Sequence, residues 1–235
     1  DVTKKLRYGE ENEIVVVSST MNPLNSRWYT GGGLYRDVNM IVTHPQLYFG
    51  RHALKISTRE NKYVDIQAEI GYYLSNSKET LKVSVVIFDA EGNEVAKNDN
   101  MLEMRRDRKL YEFALSPMTI ENAKLWSCET PHLYTVEVTL YDAEGKACDK
   151  VTERFGMRTI EFNSKEGFKL NGEKVLLKGI ANHHTLGALG AAAYPRAIEK
   201  RIAMLKEWGF NHIRTSHNPY SDDMLDICDE YGILV

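Results

Sequence analysis

NHIRTSHNPYSDDMLDICDEYGILV, residues 211–235, changes the rhythm of the chain. NHIRT (211–215) is a short strand-like run. Its polar end, Arg214, Thr215, Ser216 and His217, meets Asn218-Pro219, where regular structure must break. SDDMLDICDEYG (221–232) then has the marks of a helix. Ser221 is a natural N-cap, Asp222 and Asp223 face the positive end of the helix dipole, and Gly232 supplies the closing residue. ILV (233–235) begins another strand. Upstream, PRAIEKRIAMLKEWGF (195–210) predicts a helix with Pro195 in its first turn and Gly209 just past its end. Its apolar face is Ile198, Ile202, Leu205 and Trp208. EKVLLKGIAN (173–182) predicts a buried strand before it. Strand–helix–strand–helix–strand with short connections implies parallel strands and right-handed crossovers. Two or three such strands close no barrel, so this α/β part reads as incomplete.

Before residue 165 the period is two. EIVVVSS (13–19), LYRDVNMIV (34–42), HALKIST (52–58), YVDIQAEIGYYL (63–74), TLKVSVVIFD (80–89) and LYTVEVTLYD (133–142) largely alternate apolar with polar residues. That pattern fits antiparallel sheets with one buried face. DAEGNEV (89–95) and DAEGKAC (142–148) resemble each other, but their flanks do not match. Independent use of one hairpin chemistry, with Gly at the turn, explains them better than a repeat. The chain is therefore β-sandwich-like first and α/β afterwards.

Its 235 residues allow one large domain or two modest ones. Lys plus Arg is 30 against Asp plus Glu at 33, a formal charge of -3, which gives no electrostatic footprint for nucleic acid. No apolar run reaches membrane-spanning length. DVTKKLRYGE, at the N-terminus, has no initiator Met and no signal-peptide core, so it reads as a trimmed end and leaves the compartment open. Cys128, Cys148 and Cys228 have no metal-type spacing and are expected to be free, buried thiols, with a Cys128–Cys148 bridge the lesser alternative.

In parallel α/β architectures the C-terminal ends of strands line the site. Arg214 and His217 follow the strand at 211–213, and His183 and His184 follow the strand at 175–181. Two successive strands thus deliver polar donors to one mouth. Plainer readings stand beside these. Arg214 suits a structural ion pair as well as a ligand contact or a carboxylate support. His217 suits a cap of the following turn. His183 and His184, being adjacent, point to opposite sides if strand geometry persists, so one of them faces away. A zinc site on His183 and His217 lacks a third ligand. Asp222 and Asp223 are explained by helix-start electrostatics. The residues alone indicate a donor-rich mouth suited to polyhydroxylated or anionic ligands.

NHIRTSHNPYSDDMLDICDEYGILV resembles the signature of glycoside hydrolase family 2, which holds β-galactosidases, β-glucuronidases and β-mannosidases. GFKLNGEKVLLKGIANHHTLGALGA (167–191) resembles the start of that family's catalytic (β/α)8 barrel. LWSCETPHLYTVEVTLYD (125–142) with RFGMRTIEF (154–162) resembles its immunoglobulin-like domain. NSRWYTGGGLYRDVNMIV (25–42) resembles the last strands of its N-terminal jelly-roll domain. The resemblance implies a mainly β fold followed by an incomplete TIM barrel. Its domains would be residues 1–45 (jelly-roll strands), 46–162 (immunoglobulin-like sandwich) and 163–235 (start of the barrel). HHTLGALGA leans towards the β-galactosidase branch. By resemblance, His183 and His217 contact the sugar, and Arg214 supports the nucleophile carboxylate. Arg27, Trp28 and Tyr29 would stand at the rim, although ordinary strand-end packing is their plainer reading.

A retaining glycosidase needs two carboxyl groups about 5 Å apart. In this family both come from later barrel strands, the acid/base from an Asn-Glu pair, so the resemblance places both beyond Val235. Asn12-Glu13 and Asn93-Glu94 lie in the β-rich region and cannot stand in for them. The expectation is an internal piece of a larger enzyme, inactive alone, whose partners are a carbohydrate, β-galactoside-type substrate and the rest of the parent. No nucleic acid, membrane or metal is expected for the piece itself. The parent would use a divalent cation such as magnesium, with ligands largely outside this chain, and homo-oligomerisation stays open. The competing readings are a β-glucuronidase or β-mannosidase, and a non-catalytic sugar-binding or interaction module.

Overall fold

Alternation between residues 47 and 155 is realised as two facing antiparallel sheets. The structure is a computed structural model that describes residues 2–19, 33–34, 36–73, 78–105, 108–217 and 220–235. The strands are Leu47–Arg59 (β1), Tyr63–Tyr73 (β2), Lys78–Phe88 (β3), Glu94–Arg105 (β4), Arg108–Ala114 (β5), Met118–Thr119 (β6), Tyr134–Tyr141 (β7) and Ala147–Phe155 (β8). One sheet has the order β1-β2-β5, with β6 also on β2, and the other has the order β4-β3-β7-β8. Val64, Ile66, Ala68 and Ile70 of β2 face Leu81, Val83, Val85 and Ile87 of β3 and Val136, Val138 and Leu140 of β7 in a single core. This is an immunoglobulin-like sandwich, closed by the inward residues of both sheets.

The two similar hairpin tips are built alike. Asp89 Oδ1 accepts from the amides of Glu91 (3.0 Å) and Asn93 (2.8 Å). Asp142 Oδ1 accepts from those of Glu144 (3.1 Å) and Lys146 (2.7 Å). Gly92 and Gly145, at φ 83° and 80°, take the left-handed position each turn needs.

Beyond the sandwich, Ile160–Asn163 (β9), Gly167–Leu170 (β10) and Glu173–Lys174 (β11) form a small antiparallel sheet. Gly179–Asn182 (β12), helix Pro195–Glu207 (α1), His212–Thr215 (β13) and helix Asp222–Tyr231 (α2) follow. β12 and β13 are parallel, and Leu234 bridges to His212 in the same sense. The expected strand–helix alternation is present, with Gly232 left-handed at φ 69° after α2.

Contacts divide the chain into two units, residues 1–39 with 185–193, and residues 40–184 with 194–235. The first contains 3-10 turns at Thr3–Lys5 and Gly187–Leu189. There the Asn12 side chain closes a loop on the backbone of Arg7, accepting from its amide at 2.8 Å and donating to its carbonyl at 2.8 Å.

Four expectations need correction. Residues 13–19 and the described part of 34–42 are not ladder strands. A strand needs a neighbour to take its backbone hydrogen bonds, and none of the described residues pairs with either segment. Their apolar side chains stand in solvent, Val17 at 86% and Val42 at 81% exposure. The stretch 173–182 is not one buried strand but β11 and β12, separated by four residues. The Asn211 side chain takes the place of a ladder there, accepting from Lys178 N (2.7 Å) and donating to Leu176 O (3.0 Å). Trp208 does not belong to the buried face of its helix, because α1 ends at Glu207 and the indole lies outside at 78% exposure. Finally, all three cysteines are free, but only Cys128 and Cys228 are buried; Cys148 is half-buried. Burial pushes the Cys228 thiol up to about 12.

Sandwich and helical layer meet at Trp126. Its indole is 1% exposed, and Nε1 donates to the Asp229 carbonyl of α2 at 2.8 Å. The Arg158 guanidinium lies 4.7 Å from the ring centroid. A Cβ on Gly156 would come within 2.6 Å of Trp126 Cβ, so only glycine admits the side chain there. Arg154 adds an ion pair to Asp226 (3.6 Å) and a shorter one to Glu230, both on α2. Beside the indole is a cleft of about 560 Å³ lined in part by His52, Glu153, Arg158 and Asp229. Burial raises the pKa of Asp229, partly offset by Arg158. Burial and then Asp226 raise that of Glu153, with His52 opposing.

Trp126→Ala is expected to lower unfolding free energy by about 3–5 kcal/mol in urea denaturation, since it removes a fully buried aromatic group. A carboxyl whose folded pKa exceeds its unfolded value contributes stability below the unfolded value and loses it as pH rises through the folded one. Asp229→Asn should therefore gain stability relative to the wild type as pH rises from the ordinary carboxylate range towards neutrality. A difference that stays flat over that window would contradict the assignment.

Candidate functional site

The parallel register decides which side chains meet. Gly179, Ile180, Ala181 and Asn182 pair with His212, Ile213, Arg214 and Thr215. Ile213 is buried and Ile180 half-buried, and these two form the face turned to the helices. Arg214, level with Ala181, is on the opposite face, and His183 lies two residues further along that same face. Gly179 lets the strands approach: a Cβ there would lie 2.4 Å from His212 Nδ1 and 2.7 Å from its carbonyl oxygen.

At the C-terminal ends of the two strands the imidazoles of His183 and His217 meet edge to face, with ring centroids 6.2 Å apart and planes at 89°. Both residues are exposed. Arg214 Nη1 donates to Ser216 Oγ at 3.3 Å, and among the described residues its guanidinium forms no ion pair. His184 turns the other way, half-buried, its ring 6.5 Å from that of Tyr220. So His183, Arg214 and His217 come to one mouth, and His184 is directed elsewhere. Arg27, Trp28 and Tyr29 lie outside the described residues.

Behind the mouth, Asn182 gathers three elements. Its carbonyl accepts from Ser216 N at 2.9 Å and from the Tyr220 hydroxyl. Its Oδ1 accepts from Arg201 Nη1 of α1 at 3.0 Å, and the same nitrogen reaches the His183 carbonyl at 3.1 Å. Burial leads the influences on both outer groups, pulling the Arg201 pKa down and pushing that of Tyr220 up. Arg201 remains a cation at neutral pH. The mouth thus presents imidazole and guanidinium groups at an exposed strand end, an arrangement that can bind hydroxyl or carboxylate oxygens.

The model of glycosyl hydrolases family 2 matches residues 51–158, and the model of that family's TIM barrel domain matches residues 161–235. The chain belongs to glycosyl hydrolases family 2. In this family-2 chain the sandwich is the immunoglobulin-like domain, and β12–α1–β13–α2 is the start of the TIM barrel. Relatives span it end to end. A β-galactosidase of Bacteroides ovatus is 35% identical over 100% of this chain and 28% of its own length. A β-glucuronidase of Bacteroides fragilis is 27% identical over 100% of this chain and 35% of its own length. A crystal structure of a family-2 member from Bacteroides cellulosilyticus superimposes with TM-score 0.81 at 31% identity, covering 92% of this chain and 30% of that one. The chain therefore spans about a third or less of the length of these relatives.

The divalent cation expected of a family-2 parent finds no holder among the described residues, where no three His, Cys, Asp or Glu side chains cluster suitably. Sequence reasoning missed Asn182, Arg201 and Tyr220. One signal was available for Arg201. It falls between Ile198 and Ile202 on the buried stripe of α1, where a cation needs an internal partner. Gly179→Ala is expected to push β12 from β13 and speed amide hydrogen exchange across both strands, leaving the sandwich melting temperature unchanged. Unaltered protection at Ile213 and Arg214 would show that the close approach is not needed.

Proposed function

We propose that this chain is the immunoglobulin-like domain and barrel start of a retaining β-glycosidase that hydrolyses terminal non-reducing β-glycosidic bonds, most of all those of β-galactosides. Residues 1–45 are read as the last part of the jelly-roll domain, 46–162 as the sandwich that orients the barrel, and 163–235 as the barrel start. The observation behind this reading is the meeting of His183 and His217 on the strand face that also bears Arg214. Imidazole nitrogens suit sugar hydroxyls as both donors and acceptors. Arg214 suits a carboxylate, whose negative charge a neighbouring guanidinium holds ionised. Oxocarbenium-like charge in the transition state strengthens the hydrogen bonds that sugar hydroxyls make, so donors in this place serve the reaction as well as binding. The attacking carboxylate and the acid/base are read onto later strands, and a divalent cation onto residues outside this set, so no step is assigned to either here.

The relatives named as β-glucuronidases favour a second reading, with glucuronosides as substrates. The mouth fits both, because a guanidinium that serves a protein carboxylate is also suited to a sugar carboxylate.

Galactose and glucuronate titrated into the purified chain, followed by tryptophan fluorescence, decide between these sugars. We expect saturable galactose binding that is lost in His183→Ala and His217→Ala. Saturation by glucuronate alone would favour the second reading, and saturation by neither would leave the sandwich as scaffold only. The 235 residues alone are expected to leave a chromogenic β-galactoside intact, and turnover by them would overturn the placement of the two acids elsewhere.

A further inference from the structure

We propose that Arg201 is a positioning residue for His183, acting from helix α1 through Asn182. The inference rests on the reading of His183 as a sugar contact, and it assigns what holds that contact in place.

β12 ends at Asn182, so His183 lies past the last paired residue, where a strand would ordinarily fray. The direction of its imidazole depends on the two peptide groups that flank its Cα. Both are held. The peptide carbonyl of Asn182 accepts from Ser216 N (2.9 Å) and the Tyr220 hydroxyl, and the carbonyl of His183 accepts from Arg201 Nη1 (3.1 Å). That same Nη1 also binds Asn182 Oδ1 at 3.0 Å, tying the side chain before the histidine to the carbonyl after it. Arginine is suited to the position because its planar fork reaches two acceptors at once, whereas a lysine ammonium on its flexible stem satisfies them less rigidly. Having donors only, Arg201 also selects the amide rotamer of Asn182 with Oδ1 towards α1. Nδ2 is then buried with no partner among the described residues. An aspartate at 182 would keep the acceptor and remove that orphan donor.

The test is NMR of the full 235-residue chain with labelled histidine, its signals assigned by the single substitutions His44→Gln, His132→Gln, His183→Gln, His212→Gln and His217→Gln. The wild type should show a cross-peak between the imidazoles of His183 and His217. Arg201→Met should lose that cross-peak and shift the His183 signals, with those of His44 and His132 unmoved. Arg201→Lys should give an intermediate His183 shift, and Asn182→Asp should retain the cross-peak. An Arg201→Met spectrum unchanged at His183 would overturn the proposal. If that variant also moves His212, showing that the helical layer has loosened, the two conservative variants decide. Loss of the cross-peak in Asn182→Asp, or an Arg201→Lys spectrum identical to that of the wild type, would then count against it. Galactose added to the wild type separates this question from the sugar reading. Unperturbed His183 and His217 signals would sink the sugar contact while leaving the comparison of variants intact.

Discussion

The Trp126 indole couples the two architectures of this chain. Its ring fills the seam below the sandwich, its Nε1 binds a carbonyl of α2, and Arg158 covers its face. The backbone on either side is occupied in the same way: Trp126 N donates to Met157 O at 2.8 Å and Asn171 Nδ2 donates to Trp126 O at 3.0 Å. One residue thus touches the segment leaving the sandwich, the turn of the small sheet after it and the second helix. Gly232 adds a second tight point, since a Cβ there would meet the Cys128 carbonyl at 2.4 Å. With α2 held against the sandwich, Leu234 just after it pairs with β13 and ties that strand to the same support.

From that support the site follows by register. A parallel pair has no hairpin to set its alignment, so the side-chain fit between the strands must do so. Gly179 against His212 provides the close approach, and the Asn211 side chain bridging residues 176 and 178 fixes where β12 begins. Arg214 then faces the same way as His183. A slip of one residue would turn the whole set to the helices.

Within glycosyl hydrolases family 2, this division of labour makes physical sense. The sandwich has a closed core of its own. The barrel start has its apolar side covered by α1 and α2 and leaves the face with His183, Arg214 and His217 open. That face is polar at the strand ends and small-sided at Gly179 and Ala181.

Sequence alone was enough for much of this. Local period and punctuation marked β1, β2, β3 and β7, both helices, β13 and the change of architecture, because side chains two or four residues apart report which way the local backbone turns. The meeting of His183 with His217 was legible because strand ends in parallel folds converge. β4, β5 and β8 were passed over, since they are edge strands whose sequences alternate weakly. Residues 13–19 and 36–42 show the converse: they alternate, yet an alternating segment becomes a ladder strand only where another backbone lies alongside. Asn182 and Arg201 were out of reach for a related reason. Their roles consist of hydrogen bonds between residues 18 to 38 positions apart, made only after the chain has folded through a helix, and composition carries no record of which carbonyl a guanidinium will find. Local preference set the elements, and long-range packing decided which of them found partners and what their side chains came to hold.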